Sequence, residues 1–347
     1  MSTLRARRLV FTGLRRCEVQ AFDFDPQQLG PEQATLETEL SIMSTGTELA
    51  GYTALEPGVL QPGAHWQSYP WTPGYGAVCR VLAAGAHSGL IPGQRVLAIA
   101  PHASHAVIDA VRRPPLAVCS DDRAEDVVLL RMAAVAMTAL RLSRLVHVGA
   151  RVAVIGLGLV GNFAAQLFAR AGCEVVAFDL APRRVELARS LHIPAHVADG
   201  ARAVTIVAEH WPTQADIAIE AIGNPDLVMS AAAMVRPRGE VVLLGSPRGP
   251  FRGEAGALLS TVHMRGLTLT GALEWMVPFR DADAGDLPSI QAGYRTLLTW
   301  LRDGSLLVDG LLSSTAAPDR AQEIYMAIER DRNAYLGVAF DWRAAGA

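Results

Sequence analysis

RVAVIGLGLVGNFAAQLFARAGCEVVAFD, residues 151–179, changes its hydrophobic period twice. Residues 151–156 form a short β-branched run, residues 157–172 read as a helix closed by glycine, and residues 173–179 return to a strand pattern. Gly156, Gly158 and Gly161 stand at the first of these changes, in the spacing G-x-G-x-x-G. There the first glycine makes a tight turn, the second lets backbone approach a pyrophosphate, and the third lets the helix pack closely on the strand. The helix opens at Leu159, Val160 and Gly161, whose N–H groups would face the phosphates. Alone the motif is weak; here a strand precedes it, a helix follows it, and an acid ends the next strand. That acid, Asp179, would accept hydrogen bonds from the adenosine ribose. A carboxylate there repels a 2′-phosphate, so NAD(H) is favoured. Arg183 and Arg184 keep NADP(H) open, because arginine suits a 2′-phosphate. The alternative is that both are solvated charges on a first helical turn.

The alternation continues downstream. Pro182 opens the helix PRRVELARSLH in the first-turn position that proline favours. ADIAIEAIG and EVVLLG read as buried strands, with NPDLVMSAAAMVRPRG as the helix between them, and LTLTGA from Leu267 as a last strand at the sheet edge. Strands alternating with helices predict a doubly wound parallel sheet covered on both faces. The loops after these strands, at Ile222, Gly245–Ser246 and Ala272, are expected to reach the nicotinamide. Upstream the text differs: ATLETELSIM, GAVCRVLAAG, QRVLAIAP and HAVIDAV are short strands between Gly/Pro turns. Two amphipathic helices, IQAGYRTLLTWLRDG and PDRAQEIYMAIERD, then YLGVAFDW, are expected to pack back onto that part. The predicted fold is α/β: a mostly-β domain from residues 1–122 and 274–347, and a dinucleotide-binding domain from 123–273.

Composition removes several classes of function. The chain has 347 residues, half of them hydrophobic, and a net charge of −3, which describes an ordinary globular protein with no basic face for nucleic acid. The N-terminal LVFTGL is too short for a signal-peptide core. The long apolar run from Val152 carries three glycines, Asn162 and Gln166, and is better read as strand plus helix than as a membrane span. Cys17, Cys79, Cys119 and Cys173 form no close pair, so a reduced, cytoplasmic chain without a structural zinc cluster is expected. No lysine occurs anywhere. Chemistry that needs a lysine base, Schiff base or phosphate ligand is excluded.

The order of parts, with RARRLVFTG, GLIPGQRVLA, HASHAVI, the fingerprint and LGVAFDW, resembles the medium-chain dehydrogenase/reductase superfamily over nearly the whole chain. The resemblance implies a GroES-like catalytic domain beside a Rossmann domain. In the zinc alcohol dehydrogenases of that superfamily, the segment matching MSTGTEL carries a Cys ligand and the segment matching PGYGAV carries Gly-His-Glu. Here Thr45 stands at the Cys position, Tyr75 at the His and Gly76 at the Glu, and AVAMTAL, near the third ligand, has no Cys, His or Glu. Zinc requires those donors, so the resemblance is to a member without zinc. STGTE together with YPWTPGY is similar to the subgroup containing the bacteriochlorophyllide hydroxyethyl dehydrogenases, which oxidise a secondary alcohol beside a large ring.

Without a metal, hydrogen-bond donors must steady the developing alkoxide and some group must exchange its proton. Tyr75 is expected to donate its phenol in the interdomain cleft, and Thr45 and Thr47 to pass the proton onward. Glu48 is expected to orient those hydroxyls or, if burial raises its pKa, to act as a base. The plainer readings are that Tyr75 fills the space of the metal, the threonines satisfy a turn, and Glu48 is a structural partner. Ser44, His65, Trp66, Glu274 and Trp275 are expected to line the small-molecule substrate, with a subunit interface as the alternative for Trp275. His102 and His105, on a strand, would face apart and chelate nothing. Pro194 breaks the helical spacing of His192 and His196. The expected activity is hydride transfer between NAD(H) and a secondary alcohol or carbonyl. The alternatives are C=C reduction, as in quinone and enoyl reductases, and nucleotide binding without turnover. The edge strand from Leu267 to Ala272 is expected to pair with its copy in a homodimer.

Overall fold

The computed structural model describes residues 3–56 and 58–343. Two compact units result: Met1–Arg131 with Pro278–Ala347, and Met132–Val277. In the first, β1 (Leu4–Gly13) and β2 (Arg16–Phe24) form an antiparallel hairpin. Then come β3 (Gln33–Ile42), α1 (Thr45–Tyr52), β4 (Ala77–Ala84), β5 (Arg95–Ala98), β6 (His105–Asp109) and β7 (Leu116–Ala117). A short α2 (Ala124–Val127) precedes α3 (Leu130–Leu142), and the division between the compact units falls inside α3.

The second unit alternates regularly. It runs β8 (Arg151–Ile155), α4 (Leu159–Arg170), β9 (Glu174–Asp179), α5 (Pro182–Ser190), β10 (Ala195–Val197) and α6 (Gly200–His210). The other half is β11 (Ala215–Glu220), α7 (Leu227–Met234), β12 (Val235–Leu243), α8 (Ala255–Arg265) and β13 (Thr268–Gly271). Its parallel sheet has the order β10-β9-β8-β11-β12-β13. Strand order therefore reverses between β8 and β11, which is where open α/β sheets bind their ligands, at the carboxyl ends of the strands. The long apolar run from Val152 becomes β8 and α4, and among the described residues no helix is long and apolar enough to cross a membrane.

The chain returns through α9 (Ile290–Arg302), β14 (Ser314–Ala316), α10 (Ala321–Arg330) and β15 (Val338–Asp341). Ile290, Tyr294, Leu297 and Leu298 are buried on one face of α9; Ala321, Ile324, Tyr325 and Ile328 do the same on α10. β15 pairs antiparallel with β3, Ala339 opposite Ile42, so the last strand is built into the first unit's sheet β14-β15-β3-β4-β5-β7, with β6 also on β3. Phe11, Tyr52, Tyr325 and Phe340 pack together beneath it.

Two segments depart from the sequence reading. STGTE, whose threonines could satisfy a turn on the plainer reading, instead opens the helix α1. The helix expected across residues 224–239 stops at Met234, and Val235 starts a strand paired with Ala215. Pro237 explains the second change, since it lacks an N–H and disfavours helical backbone at the residue before it.

At the amino end of β11, Asp216 ties three strands together. It accepts hydrogen bonds from the Arg151 N–H (2.8 Å) and Nε (3.1 Å) and from Arg236 Nε (2.6 Å). Burial alone would raise its pKa, but the two arginines and the N–H outweigh burial and hold it at about 2, against an ordinary 3.8. A depressed carboxylate stabilises the fold above its unfolded pKa and loses that contribution as pH falls through the folded one. The expected contribution is about 2 kcal/mol at pH 7, disappearing between about pH 4 and pH 2. Asp216→Asn should lower the urea midpoint at pH 7 and flatten the acid limb; an unchanged midpoint would remove Asp216 from the account.

Candidate active site

In the second unit, the turn after β8 is built for close approach. Gly156 has φ +99°, and a Cβ there would meet Ile222 Cγ1 at 2.5 Å. A Cβ on Gly161 would lie 1.9 Å from the Gly156 carbonyl oxygen, so the helix sits where only glycine fits. Gly158 is the opposite case, because a Cβ there would meet nothing within 4 Å. Its carbonyl accepts the Asn162 N–H at 2.9 Å, which leaves the N–H groups of Leu159, Val160 and Gly161 without a carbonyl four residues back in α4. Open space beside three such donors at a helix N-terminus suits a pyrophosphate.

Asp179 does more than the sequence suggests. It accepts the Leu157 N–H (2.7 Å) on Oδ2 and the Ala181 N–H (2.8 Å) on Oδ1, tying the glycine turn to the end of β9. Arg184 Nη1 lies 3.6 Å from Oδ2, so this arginine faces the carboxylate. Each carboxylate oxygen has capacity for a further hydrogen bond, as a ribose hydroxyl would require.

Beyond β11, Glu220 accepts the N–H groups of Ile222 (2.9 Å) and Gly223 (2.9 Å), while burial pushes its carboxyl upward. A Cβ on Gly223 would lie 2.2 Å from Ser246 O, and one on Gly245 2.1 Å from Gly223 N. The loops at Ile222 and Gly245–Ser246 are thus pinned backbone to backbone. Ala272 is buried, and its N–H bonds to Leu243 O at 3.0 Å. Glu274 is also buried, with its charge acting on the Arg141 guanidinium, whereas Trp275 is exposed. Of that expected lining pair, the indole alone reaches the surface.

In the first unit, Tyr75 lies between two enforced glycines. Gly74 has φ +94°, and a Cβ there would be 2.5 Å from His102 N; a Cβ on Gly76 would be 2.3 Å from Arg131 Cγ. The phenol donates to Ser44 Oγ at 2.5 Å. Ser44 stands at the N-cap position of α1, makes no capping bond with its side chain, and gives its N–H to Glu48 Oε1 at 2.7 Å. The other oxygen of Glu48 meets His102 Nε2 (3.0 Å) and the Tyr325 hydroxyl (2.6 Å). His102 Nδ1 reaches Ser41 Oγ (2.7 Å), to which Trp342 Nε1 also donates (2.9 Å). Burial, with Glu48 beside it, raises the Tyr325 pKa, so Tyr325 stays a neutral donor. Glu48 is thus an anchor tying Ser44 to His102 and Tyr325.

Tyr75 and Ser44 are brought together with Glu48 behind them. Thr45 and Thr47 occupy the first turn of α1, half-buried, and the Thr47 carbonyl accepts Gln67 Nε2 at 2.9 Å. His65 bonds Glu56 at 3.0 Å, and the exposed Trp66 packs edge-on against Trp71. The sequence reading missed Arg131 and Tyr325 altogether. A lone arginine in the apolar DVVLLRMAAVAM was the available signal for the first, since a charge in such a run must be partnered.

The donor set does not suit zinc: a threonine hydroxyl, a phenol already bonded to Ser44 and a glycine occupy the ligand positions that the resemblance implies. Among the described residues, no group of three or more His, Cys, Asp or Glu side chains could hold a metal ion. A nicotinamide dinucleotide does suit the chain, at Gly158, Leu159, Val160 and Asp179.

Residues 160–281 match the model of the family described as zinc-binding dehydrogenase. The chain is 26% identical to 2-desacetyl-2-hydroxyethyl bacteriochlorophyllide A dehydrogenase of Cereibacter sphaeroides, covering 98% of this chain and 99% of that protein. Among solved structures it resembles galactitol-1-phosphate dehydrogenase from Escherichia coli (18% identity, 96% and 99% of the two chains, TM-score 0.78). It also resembles a quinone oxidoreductase from Pseudomonas syringae pv. Tomato (18% identity, 97% and 99%, TM-score 0.77). The strand order, the glycine turn and these likenesses agree on a GroES-like domain and a Rossmann domain, and the chain resembles the NAD(P)-dependent oxidoreductases of the medium-chain dehydrogenase/reductase superfamily over nearly its whole length.

Proposed function

We propose that this oxidoreductase works without zinc, prefers NAD(H), and interconverts a secondary alcohol and its ketone, with Tyr75 exchanging the proton of the substrate oxygen. The observation that carries this reading is the phenol fixed between Gly74 and Gly76, with its hydroxyl on Ser44 and Ser44 anchored by Glu48. The cofactor supplies the hydride or accepts it. As a ketone is reduced, the Tyr75 O–H would turn from Ser44 Oγ to the carbonyl oxygen and give up its proton, leaving a phenolate that solvent reprotonates; as an alcohol is oxidised, the phenolate form takes the proton from the alcohol oxygen. Leu159, Val160 and Gly161 offer N–H groups to the pyrophosphate, and Asp179 offers its carboxylate to the ribose. The similar protein of Cereibacter sphaeroides is named for dehydrogenation of a hydroxyethyl group, which agrees with an alcohol substrate. Copies would join along β13, an edge strand on which Leu269 is exposed.

One set of assays tests this. Protein dialysed against chelator should reduce ketones with NADH at an undiminished rate, contain less than stoichiometric zinc, and sediment as a dimer. Asp179→Gly should weaken NADH binding about tenfold and shift preference toward NADPH. Turnover of enones alone would favour C=C reduction instead, and activity restored only by added zinc would defeat the metal-free reading.

A further inference from the structure

Arg131 is fully buried, at 0% exposure. An arginine without water must find its compensation in the protein. Arg131 Nε donates to the Tyr75 carbonyl at 2.9 Å, and the guanidinium carbon lies 4.7 Å from the centre of the Tyr75 ring. That places a permanent positive charge against the π face of the phenol, in the range of a cation–π contact. Gly76 makes the approach possible, because any side chain there would strike the Arg131 stem.

We propose that Arg131 is the positioning residue for the proton-exchanging phenol: its guanidinium holds the Tyr75 backbone and ring and supplies, through the ring, the fixed positive charge that favours negative charge on the phenolic oxygen. The inference rests on the reading of Tyr75 given above. A cation close to an acid stabilises its deprotonated form, so Arg131 makes Tyr75 a readier proton donor. Glu48 and His102 are titratable groups held against the Ser44 and Gly74 ends of this segment. The Glu48 carboxylate is met by the Ser44 N–H, His102 and Tyr325. His102 lies against Gly74, with its ring nitrogens bonded to Glu48 and Ser41. Arginine is suited to the task because its planar group stays charged and stacks on aromatic faces.

The test follows the phenol itself. In protein carrying tyrosine labelled at Cζ, the Tyr75 resonance, assigned by its loss in Tyr75→Phe, should titrate below the ordinary value of about 10. Arg131→Met should move that midpoint, and the matching limb of the kcat–pH profile, upward by about one unit and slow ketone reduction about tenfold at pH 7. Arg131→Lys should restore part of both, with the affinity for NADH within about twofold of wild type throughout. A wild-type Tyr75 titrating at or above 10 overturns the proposal even if neither variant folds. An unmoved pH profile in Arg131→Met, with Tyr75→Phe still slow, overturns it while leaving the role of Tyr75 standing. A fast Tyr75→Phe removes the reading of Tyr75 itself.

Discussion

Gly158→Val should fold as stably as wild type and bind NADH at least about 100-fold more weakly, a loss of about 2.7 kcal/mol. The position has φ −64° and ψ −179°, open to any L-residue, and nothing lies within 4 Å of its missing Cβ. An added side chain therefore costs the apoprotein nothing and occupies the space a pyrophosphate needs. Gly161→Val, three residues on, should behave in the opposite way. Its Cβ would fall 1.9 Å from the Gly156 carbonyl oxygen, a collision of backbone with side chain that α4 can relieve only by leaving the sheet. The variant should show little cooperative unfolding above room temperature. Thermal unfolding and NADH titration of the two proteins separate cradle from packing. If Gly158→Val bound NADH normally, the pyrophosphate would have to lie elsewhere.

Tyr75→Phe should lower the rate of hydride transfer by about 10²–10⁴, the usual contribution of a positioned proton donor. The affinity for NADH should stay within about twofold, since the ring keeps its place between Gly74 and Gly76 and under Arg131. Stability should fall by about 1 kcal/mol, because the Ser44 hydroxyl loses one hydrogen-bond partner. Single-turnover measurements with a ketone and NADH would distinguish a slower chemical step from weaker binding. A rate equal to wild type would reduce Tyr75 to a residue that fills space.

The second unit was legible because its signals are local. Strand period, glycine spacing and the Pro182 start each act within a few residues, and β8, α4, β9 and α5 appear where those signals put them. The C-terminal helices were legible for the same reason. α1 was hidden because its N-terminus is held by a tertiary contact: Glu48 reaches back to Ser44 while His102 and Tyr325, distant in sequence, hold its other oxygen. The same long-range network explains why Thr45 and Thr47 were nominated ahead of Ser44 as the hydroxyl beside Tyr75. Spacing alone does not reveal which of three neighbouring hydroxyls turns toward a phenol placed far along the chain. Arg131 was overlooked because its partners, a carbonyl and a ring face, leave no sequence pattern.

The anchoring of Glu48 carries a consequence for biosynthesis. Its clamp draws on α1 near the start of the chain and on Tyr325 near the end, and Trp342 secures the far side of His102 through Ser41. On a ribosome, where domains fold as they emerge, the nucleotide unit can form while the Glu48 clamp is still waiting for its closing strand. A polypeptide released before residue 325 would carry a competent nucleotide fold and a carboxylate with no tyrosine to hold it, able to sequester cofactor without turning it over.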